Sequence, residues 1–264
     1  MKKRAALFFD IDGTILSNDT HTIPQSALDA MAEAQKNGHL LFVNTGRTIC
    51  ALPKELYAFD FDGYLCGCGS YLVYRDEVLL ESHIDLTRGN EILEKVYECK
   101  IGVVLESSED VYFPEAKSRF AELENAREHF GSLGLGKKLY IESKKCQYDK
   151  LFLYTDEKSD VKTLFQFIEQ DMEAIERGDG MYEVIQKGYS KATACEAILE
   201  RFDIDREQSY VFGDSLNDLS MFEFANHTIA MGDHAKGLEP YTEFITKRVE
   251  EDGIACALKH YGLI

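Results

Sequence analysis

Two acidic side chains follow a short apolar run, Ala5–Phe9, in the motif Asp10–Thr14. A carboxylate in such a position can attack phosphorus and form an aspartyl-phosphate. A second carboxylate two residues later, Asp12, can serve as general acid and base. A solvated Asp-Gly loop is the plainer alternative. A calcium loop is excluded because its glycine should stand sixth and a glutamate twelfth. Here the glycine is fourth and the twelfth residue is His21.

Two further motifs offer groups that can hold a phosphate. Thr45–Arg47 follows the apolar run Leu40–Val43, and a hydroxyl with backbone amides at a helix start suits a phosphoryl oxygen. A simple helix cap by Thr45 is the common alternative. Lys191 opens another predicted helix, where the helix dipole disfavours a cation. A bound phosphate would explain that lysine, and an ordinary exposed lysine is the alternative.

The fourth motif, Gly213–Asp218, is the most specific of the set. It places Asp214, Asn217 and Asp218 beyond a predicted strand, which makes a cluster of hard oxygen ligands. Mg²⁺ prefers such ligands, whereas a turn capped by Asp and Asn is the alternative. The four motifs together supply a nucleophile, an acid/base, a phosphate clamp and a metal site, which are the parts that phosphoryl transfer needs.

The elements that must position these motifs alternate strand and helix, which predicts an α/β fold with a Rossmann-like parallel sheet. Ligands of such sheets bind beyond the carboxyl ends of the strands, where all four motifs fall. We predict core strands at Ala5–Phe9, Leu40–Val43, Tyr210–Phe212, His227–Ala230 and Glu243–Thr246. Short antiparallel strands are predicted at Tyr64–Cys68, Tyr71–Tyr74 and Val78–Leu80. Helices are predicted after Pro24, over about Thr48–Tyr57, after Ser190, over Asn217–Phe224 and at the C-terminus.

The middle of the chain changes to a mixed pattern, which predicts an inserted α+β cap domain. We expect core domain over residues 1–82 and 188–264 and the cap over 83–187. The predicted cap elements are helices near Thr87–Cys99, Lys117–Phe130 and Lys158–Glu176 and strands near Gly102–Leu105, Lys150–Tyr154 and Met181–Ile185.

Charge and cysteine content narrow the class of protein further. The 264 residues carry a net charge of −18, a field that repels nucleic acid and anionic membrane surfaces. Seven scattered cysteines make a disulfide framework improbable and favour a reducing compartment. No second cysteine pair accompanies Cys66 and Cys68 at zinc-ribbon spacing. With no signal-peptide pattern and no apolar run long enough to span a membrane, we expect a cytoplasmic protein.

The four motifs, in this order and with an insertion between the second and third, resemble the haloacid dehalogenase (HAD) superfamily and its Cof-like sugar-phosphatase branch. The resemblance covers the whole chain, and the insertion is similar to the large type-II cap. It implies that Asp10 is the nucleophile and Asp12 the general acid/base.

The same resemblance implies the ligands of phosphate and metal. Thr45, Gly46, Lys191 and Asn217 would bind the phosphoryl group. Mg²⁺ would be held by Asp10, Asp214 and the backbone carbonyl of Asp12, with Asp218 in the outer shell.

Two positions depart from the family pattern. Ala192 follows Lys191, where the family usually has glycine. Cys68 precedes Gly69, where the family often has asparagine. Without a basic neighbour, Cys68 is interpreted as a neutral loop thiol.

The leading hypothesis is hydrolysis of a small phosphomonoester, such as a sugar phosphate, with a small phosphorylated metabolite as partner. A phosphosugar mutase of the same superfamily shares all four motifs, but it must hold a bisphosphorylated intermediate with extra cap cations. The candidates for such cations are Arg119, Arg127, Lys137, Lys138, Lys144 and Lys145. A non-catalytic phosphometabolite-binding domain is less favoured, because four clustered carboxylates are costly to keep without a metal.

Overall fold

The structure, a computed structural model, describes residues 3–264. The chain divides into two compact units. The first contains the chain up to Arg47, Leu52–Leu80 and Tyr189–Ile264. The second contains Thr48–Ala51 and Glu81–Gly188.

The first unit is built on an eight-stranded sheet. Its strands, numbered along the whole chain, are β1 (Ala6–Phe9), β2 (Leu40–Asn44), β3 (Gly63–Cys66), β4 (Tyr71–Tyr74), β5 (Glu77–Glu81), β11 (Ser209–Gly213), β12 (His227–Ala230) and β13 (Phe244–Ile245). They lie in the order β13-β12-β11-β1-β2-β3-β4-β5. All pairs from β13 to β3 are parallel, and β4 is antiparallel to β3.

Helices cover both faces of this sheet, which explains why β1 is an unbroken apolar run. Leu7 and Phe9 of β1 belong to a core shared with two helices, whereas Ala6 and Phe8 belong to a core shared with two others. The first pair of helices is α1 (Gln25–Lys36) and α7 (Gly253–His260), and the second pair is α5 (Lys191–Phe202) and α6 (Leu219–Phe224).

The second unit is a five-stranded antiparallel sheet in the order β7-β6-β8-β10-β9. Its elements are α2 (Leu86–Glu98), β6 (Gly102–Glu106), β7 (Val111–Tyr112), α3 (Ala121–Ser132), β8 (Lys150–Tyr154), α4 (Val161–Ile168), β9 (Met172–Gly178) and β10 (Met181–Gln186). One apolar core joins α2 and α4 to this sheet, and a smaller one joins α3 to it. The predicted α/β fold, with a parallel-sheet core and a separate α+β cap, is confirmed.

Two predicted helices are wrong in part. Residues 48–57 form two short 3₁₀ turns, Ile49–Ala51 and Lys54–Ala58, instead of one helix. Pro53 separates them because it lacks an N–H and restricts the residue before it.

The helix predicted over Lys158–Glu176 ends at Ile168, and its second half is strand β9. Asp179 and Gly180 both have positive φ, so they form the tight turn that joins β9 to β10 as a hairpin.

None of the helices within residues 3–264 is both long enough and apolar enough to cross a bilayer.

Candidate active site

Asp10 is the first residue beyond β1, between the ends of β2 and β11. Its backbone N–H donates to Phe212 O at 3.0 Å, so the parallel ladder continues to the residue itself. Its side chain is buried, with 5% of the residue exposed. The strand therefore fixes the position of this carboxylate through backbone hydrogen bonds on a rigid element.

The chain turns sharply after Asp10, and Gly13 makes the turn possible. The amides of Thr14, Ile15 and Leu16 all donate to Ile11 O. Gly13 has φ +78°, and a Cβ built on it would lie 2.6 Å from Asp214 Oδ2. Any larger residue would thus be strained and would also push against an acidic side chain of the fourth motif.

Lys191 connects the first motif to the fourth. It is the first residue of α5, whose N-terminus is capped by Ser190 accepting from the Thr193 amide. Its Nζ lies 2.5 Å from Asp10 Oδ1 and 2.6 Å from Asp218 Oδ1, and the residue is 1% exposed. The alternative of an ordinary exposed lysine is therefore wrong.

Asn44, the last residue of β2, supports this lysine from behind. Its Nδ2 donates to Lys191 O at 2.9 Å, and the side chain is fully buried. The hydrogen bond ties the start of α5 to the carboxyl end of β2. The only signal for this contact in the sequence was a polar residue at the end of a buried strand, and that signal does not identify its partner.

The fourth motif folds its two carboxylates in different ways. Asp218 is fully buried, and its Oδ2 accepts from the amides of Asp214 and Ser215 at 3.0 and 3.1 Å. Because Lys191 binds its Oδ1, both oxygens of Asp218 have protein donors. Asp214 is less enclosed, and the Thr14 hydroxyl approaches its Oδ1 at 3.5 Å.

Asn217 and the second motif were both predicted to bind phosphate. Asn217 Oδ1 accepts from the Ser215 hydroxyl, which leaves the N–H end of the amide for another partner. Thr45 is buried and its Oγ1 accepts from the Arg47 amide at 3.1 Å, in a turn that replaces the predicted helix cap. Gly46 lies between them and is half-buried.

Carboxylate oxygens of Asp10, Asp214 and Asp218 lie within 4.8 Å of one another, so one ion could contact all three. Burial, with Asp218 and Asp12 nearby, raises the pKa of Asp10 to about 7 in spite of Lys191. Burial and the neighbouring Asp10 and Asp218 raise the pKa of Asp214 to about 8. These carboxylates repel one another when ionised, and a divalent cation relieves that repulsion. The donor set thus fits Mg²⁺.

Asp12 is not one of these three clustered carboxylates, and it pairs with Arg47. Arg47 Nε donates to Asp12 Oδ2 at 2.8 Å, and Nη2 donates to Oδ1 at 3.0 Å. The pair is partly exposed, with 43% of the Asp12 side chain accessible. The sequence pattern had assigned no separate role to Arg47.

The backbone at Cys68 adopts a conformation that suits the asparagine often found at this position in the family. Cys68 has φ +54°, in the left-handed region that asparagine tolerates better than most residues. Its amide donates to Thr45 O at 3.1 Å, which braces the second motif.

Acidic, hydroxyl and lysine side chains thus meet beyond the carboxyl ends of the parallel strands. Residues 7–258 match the haloacid dehalogenase-like hydrolase family. The chain belongs to this family.

Individual relatives narrow the branch. The chain is 30% identical over 263 residues to the Bacillus subtilis protein named "Putative phosphatase YkrA", covering 98% of both chains. It is 24% identical over 264 residues to 5-amino-6-(5-phospho-D-ribitylamino)uracil phosphatase YitU of the same organism, covering 96% of this chain and 95% of that one.

Among solved structures, the HAD phosphatase BT1666 from Bacteroides thetaiotaomicron superposes with a TM-score of 0.87 at 26% identity, covering 99% of this chain and 96% of that one. The HAD subclass IIB sugar phosphatase BT4131 gives a TM-score of 0.83 at 25% identity, covering 98% and 100%. The resemblance to the HAD superfamily and its Cof-like branch is confirmed, and the chain is a HAD-type phosphatase.

Proposed function

We propose that this phosphatase hydrolyses a small phosphomonoester in a Mg²⁺-dependent reaction through an aspartyl-phosphate on Asp10. One observation carries the proposal: a buried carboxylate at the end of the central strand, held by Lys191 inside a cluster of three carboxylates. A buried Lys–Asp pair is weak as a stabilising device, so its position at the ligand-binding edge of the sheet points to chemistry.

The proposed reaction has two steps that share the same groups. A carboxylate oxygen of Asp10 attacks phosphorus, the bond to the leaving oxygen breaks, and Asp12 gives that oxygen a proton. Water then attacks the phosphorus of the acyl phosphate, Asp12 takes up its proton, and inorganic phosphate leaves with Asp10 restored. Lys191, Thr45, Gly46 and Asn217 bind the phosphoryl oxygens.

The metal ligands proposed are the side chains of Asp10 and Asp214, with the backbone carbonyl of Asp12. Asp218 is the outer group, which agrees with its two oxygens already having lysine and amide donors. When bound, Mg²⁺ supplies positive charge that offsets the carboxylates and polarises the phosphoryl group.

We propose a sugar phosphate or similar metabolite as substrate. YitU is named for a phosphorylated ribityl compound and BT4131 for sugar phosphates, and both relatives cover nearly all of the chain. We also propose that residues 83–187 act as a mobile cap and that the protein works in the cytoplasm. The seven cysteines, all of which lie within residues 3–264, are free in the structure, which supports a reducing compartment.

The mutase alternative needs cap cations that remain available for a second phosphate. Three of the six candidates already pair with acids of their own unit: Arg119 with Asp156, Arg127 with Glu124 and Lys144 with Glu94. These ion pairs engage half of the candidate cations.

The test is a panel of phosphorylated sugars, cofactors and nucleotides, assayed for phosphate release with Mg²⁺ and with excess chelator. We expect turnover only with Mg²⁺ and none from Asp10→Asn. Asp205→Asn is the control, because that aspartate is exposed and pairs only loosely with Lys3 at 3.4 Å. Full turnover in chelator, or an active Asp10→Asn variant, contradicts the proposal.

A further inference from the structure

The charges of the site balance only if Arg47 is counted with it. Four carboxylates, Asp10, Asp12, Asp214 and Asp218, face two buried or half-buried cations, Lys191 and Arg47. Their formal sum is −2, which one divalent cation neutralises. Without Arg47 the formal sum would be −3, and the Asp12 carboxylate would lose the cation that pairs with it.

The contact between Arg47 and Asp12 is also specific in its geometry. Two different nitrogens of one planar guanidinium bind the two oxygens of one carboxylate, at 2.8 and 3.0 Å. A fork of this kind sets the direction in which a carboxylate faces, whereas a single point charge such as lysine does not.

The backbone holds Arg47 in place for this contact. Its amide donates to Thr45 Oγ1, and its carbonyl accepts from the Gly67 amide at 2.8 Å. The arginine thus starts from a turn that is anchored on β2 and β3. The carboxylate that it binds comes from the end of β1, 35 residues earlier.

We propose that Arg47 is the positioning residue for Asp12: its guanidinium orients the Asp12 carboxylate for proton transfer and keeps it out of the three-carboxylate metal cluster. This inference rests on the proposed function, in which Asp12 is the acid and base. In this role Arg47 acts through Asp12.

Three variants separate orientation from charge. Arg47→Met keeps the bulk of the aliphatic stem and removes both the charge and the fork, so we expect kcat with an alkyl phosphate to fall roughly 10- to 100-fold, the effect of a misplaced catalytic group. Arg47→Lys keeps the charge and loses the fork, so it should fall nearly as far. Arg47→Ala leaves space, and added guanidinium ion at millimolar concentration should restore part of its kcat. Arg201→Met, which changes an exposed arginine 3.8 Å from Glu77, should match the wild type.

The decisive experiment is a double-mutant cycle with Asp12→Ala, read as kcat/KM. If Arg47 acts through Asp12, Arg47→Met costs nothing further once Asp12 is alanine. Independent effects that multiply, a rise in KM with kcat unchanged, or a fully active Arg47→Lys variant would each overturn the inference. Failure of the proposed function is a separate outcome, because the wild type would then release no phosphate from any member of the panel.

Discussion

Replacement of Lys191 by methionine removes the charge that joins the nucleophile to the fourth motif. Methionine fills the volume of the lysine stem, so the change is mainly electrostatic. It leaves Asp10, 5% exposed, and Asp218, fully buried, without their shared cation. Loss of one partner of a buried ion pair typically costs about 3–5 kcal/mol of folding free energy.

The contacts of each carboxylate place the expected cost near the lower end of that range. Asp218 keeps two backbone N–H donors on Oδ2, so its charge remains partly compensated. Asp10 has no such donor within residues 3–264. Burial raises its pKa to about 7 with Lys191 present, and loss of that cation raises the pKa further, so the carboxyl can take up a proton instead. We therefore expect a loss of about 3 kcal/mol in chelator near pH 8. The loss should be smaller near pH 6, where Asp10 is protonated.

The assay is urea unfolding of both proteins at the two pH values, in chelator and in Mg²⁺, with Lys236→Met as the control on an exposed lysine. Mg²⁺ should restore more stability to Lys191→Met than to the wild type, because the ion replaces the missing charge. A loss below about 1 kcal/mol near pH 8, or a loss that does not change with pH, would refute this reasoning.

Three further expectations follow from the same geometry. The pKa values of about 7 for Asp10 and about 8 for Asp214 lie above the ordinary value of 3.8, so the metal-free folded state binds more protons than the unfolded chain. The melting temperature of the metal-free protein in chelator should therefore fall as pH rises from about 4 to about 8, and the apparent Mg²⁺ affinity should rise. A melting temperature that increases over this pH range contradicts the raised pKa values of Asp10 and Asp214. Gly13→Ala should lose activity because its Cβ meets Asp214, whereas Gly38→Ala, with φ +96° and no atom within 4 Å, should lose only a little stability; equal activities would show that the close contact is unimportant. Asp12→Ala should release a burst of phenol from p-nitrophenyl phosphate and then stall, but show no burst with an alkyl phosphate, whose leaving group needs the acid; a burst with both substrates would remove Asp12 from the first step.

The strands of the parallel core sheet and the placement of the four motifs could be predicted from the sequence. A strand covered on both faces is an uninterrupted apolar run, so β1, β2 and β11 were identifiable, and chemistry collects where such strands end. The helix predicted over Lys158–Glu176 was too long, because the apolar pattern was interpreted as helical beyond Ile168. The Asp179-Gly180 hairpin turn was the competing signal.

What the sequence could not give is which side chains meet. The Arg47–Asp12 fork joins residues 35 apart, and the two contacts of Lys191 join residues 181 and 27 apart. Such pairs depend on the order of the strands and on how each turn leaves the sheet. The position of Arg47 after Thr45 and Gly46 in the sequence does not specify its contact with Asp12.

The site of covalent phosphorylation tests the central claim most directly. Asp12→Ala is mixed with p-nitrophenyl phosphate and Mg²⁺, quenched in acid, and analysed by intact mass and peptide mapping, beside Asp10→Asn treated in the same way. The account predicts one phosphoryl group on Asp12→Ala, carried by Asp10, and none on Asp10→Asn. A phosphoryl group on another residue, or on the Asp10→Asn protein, would contradict it.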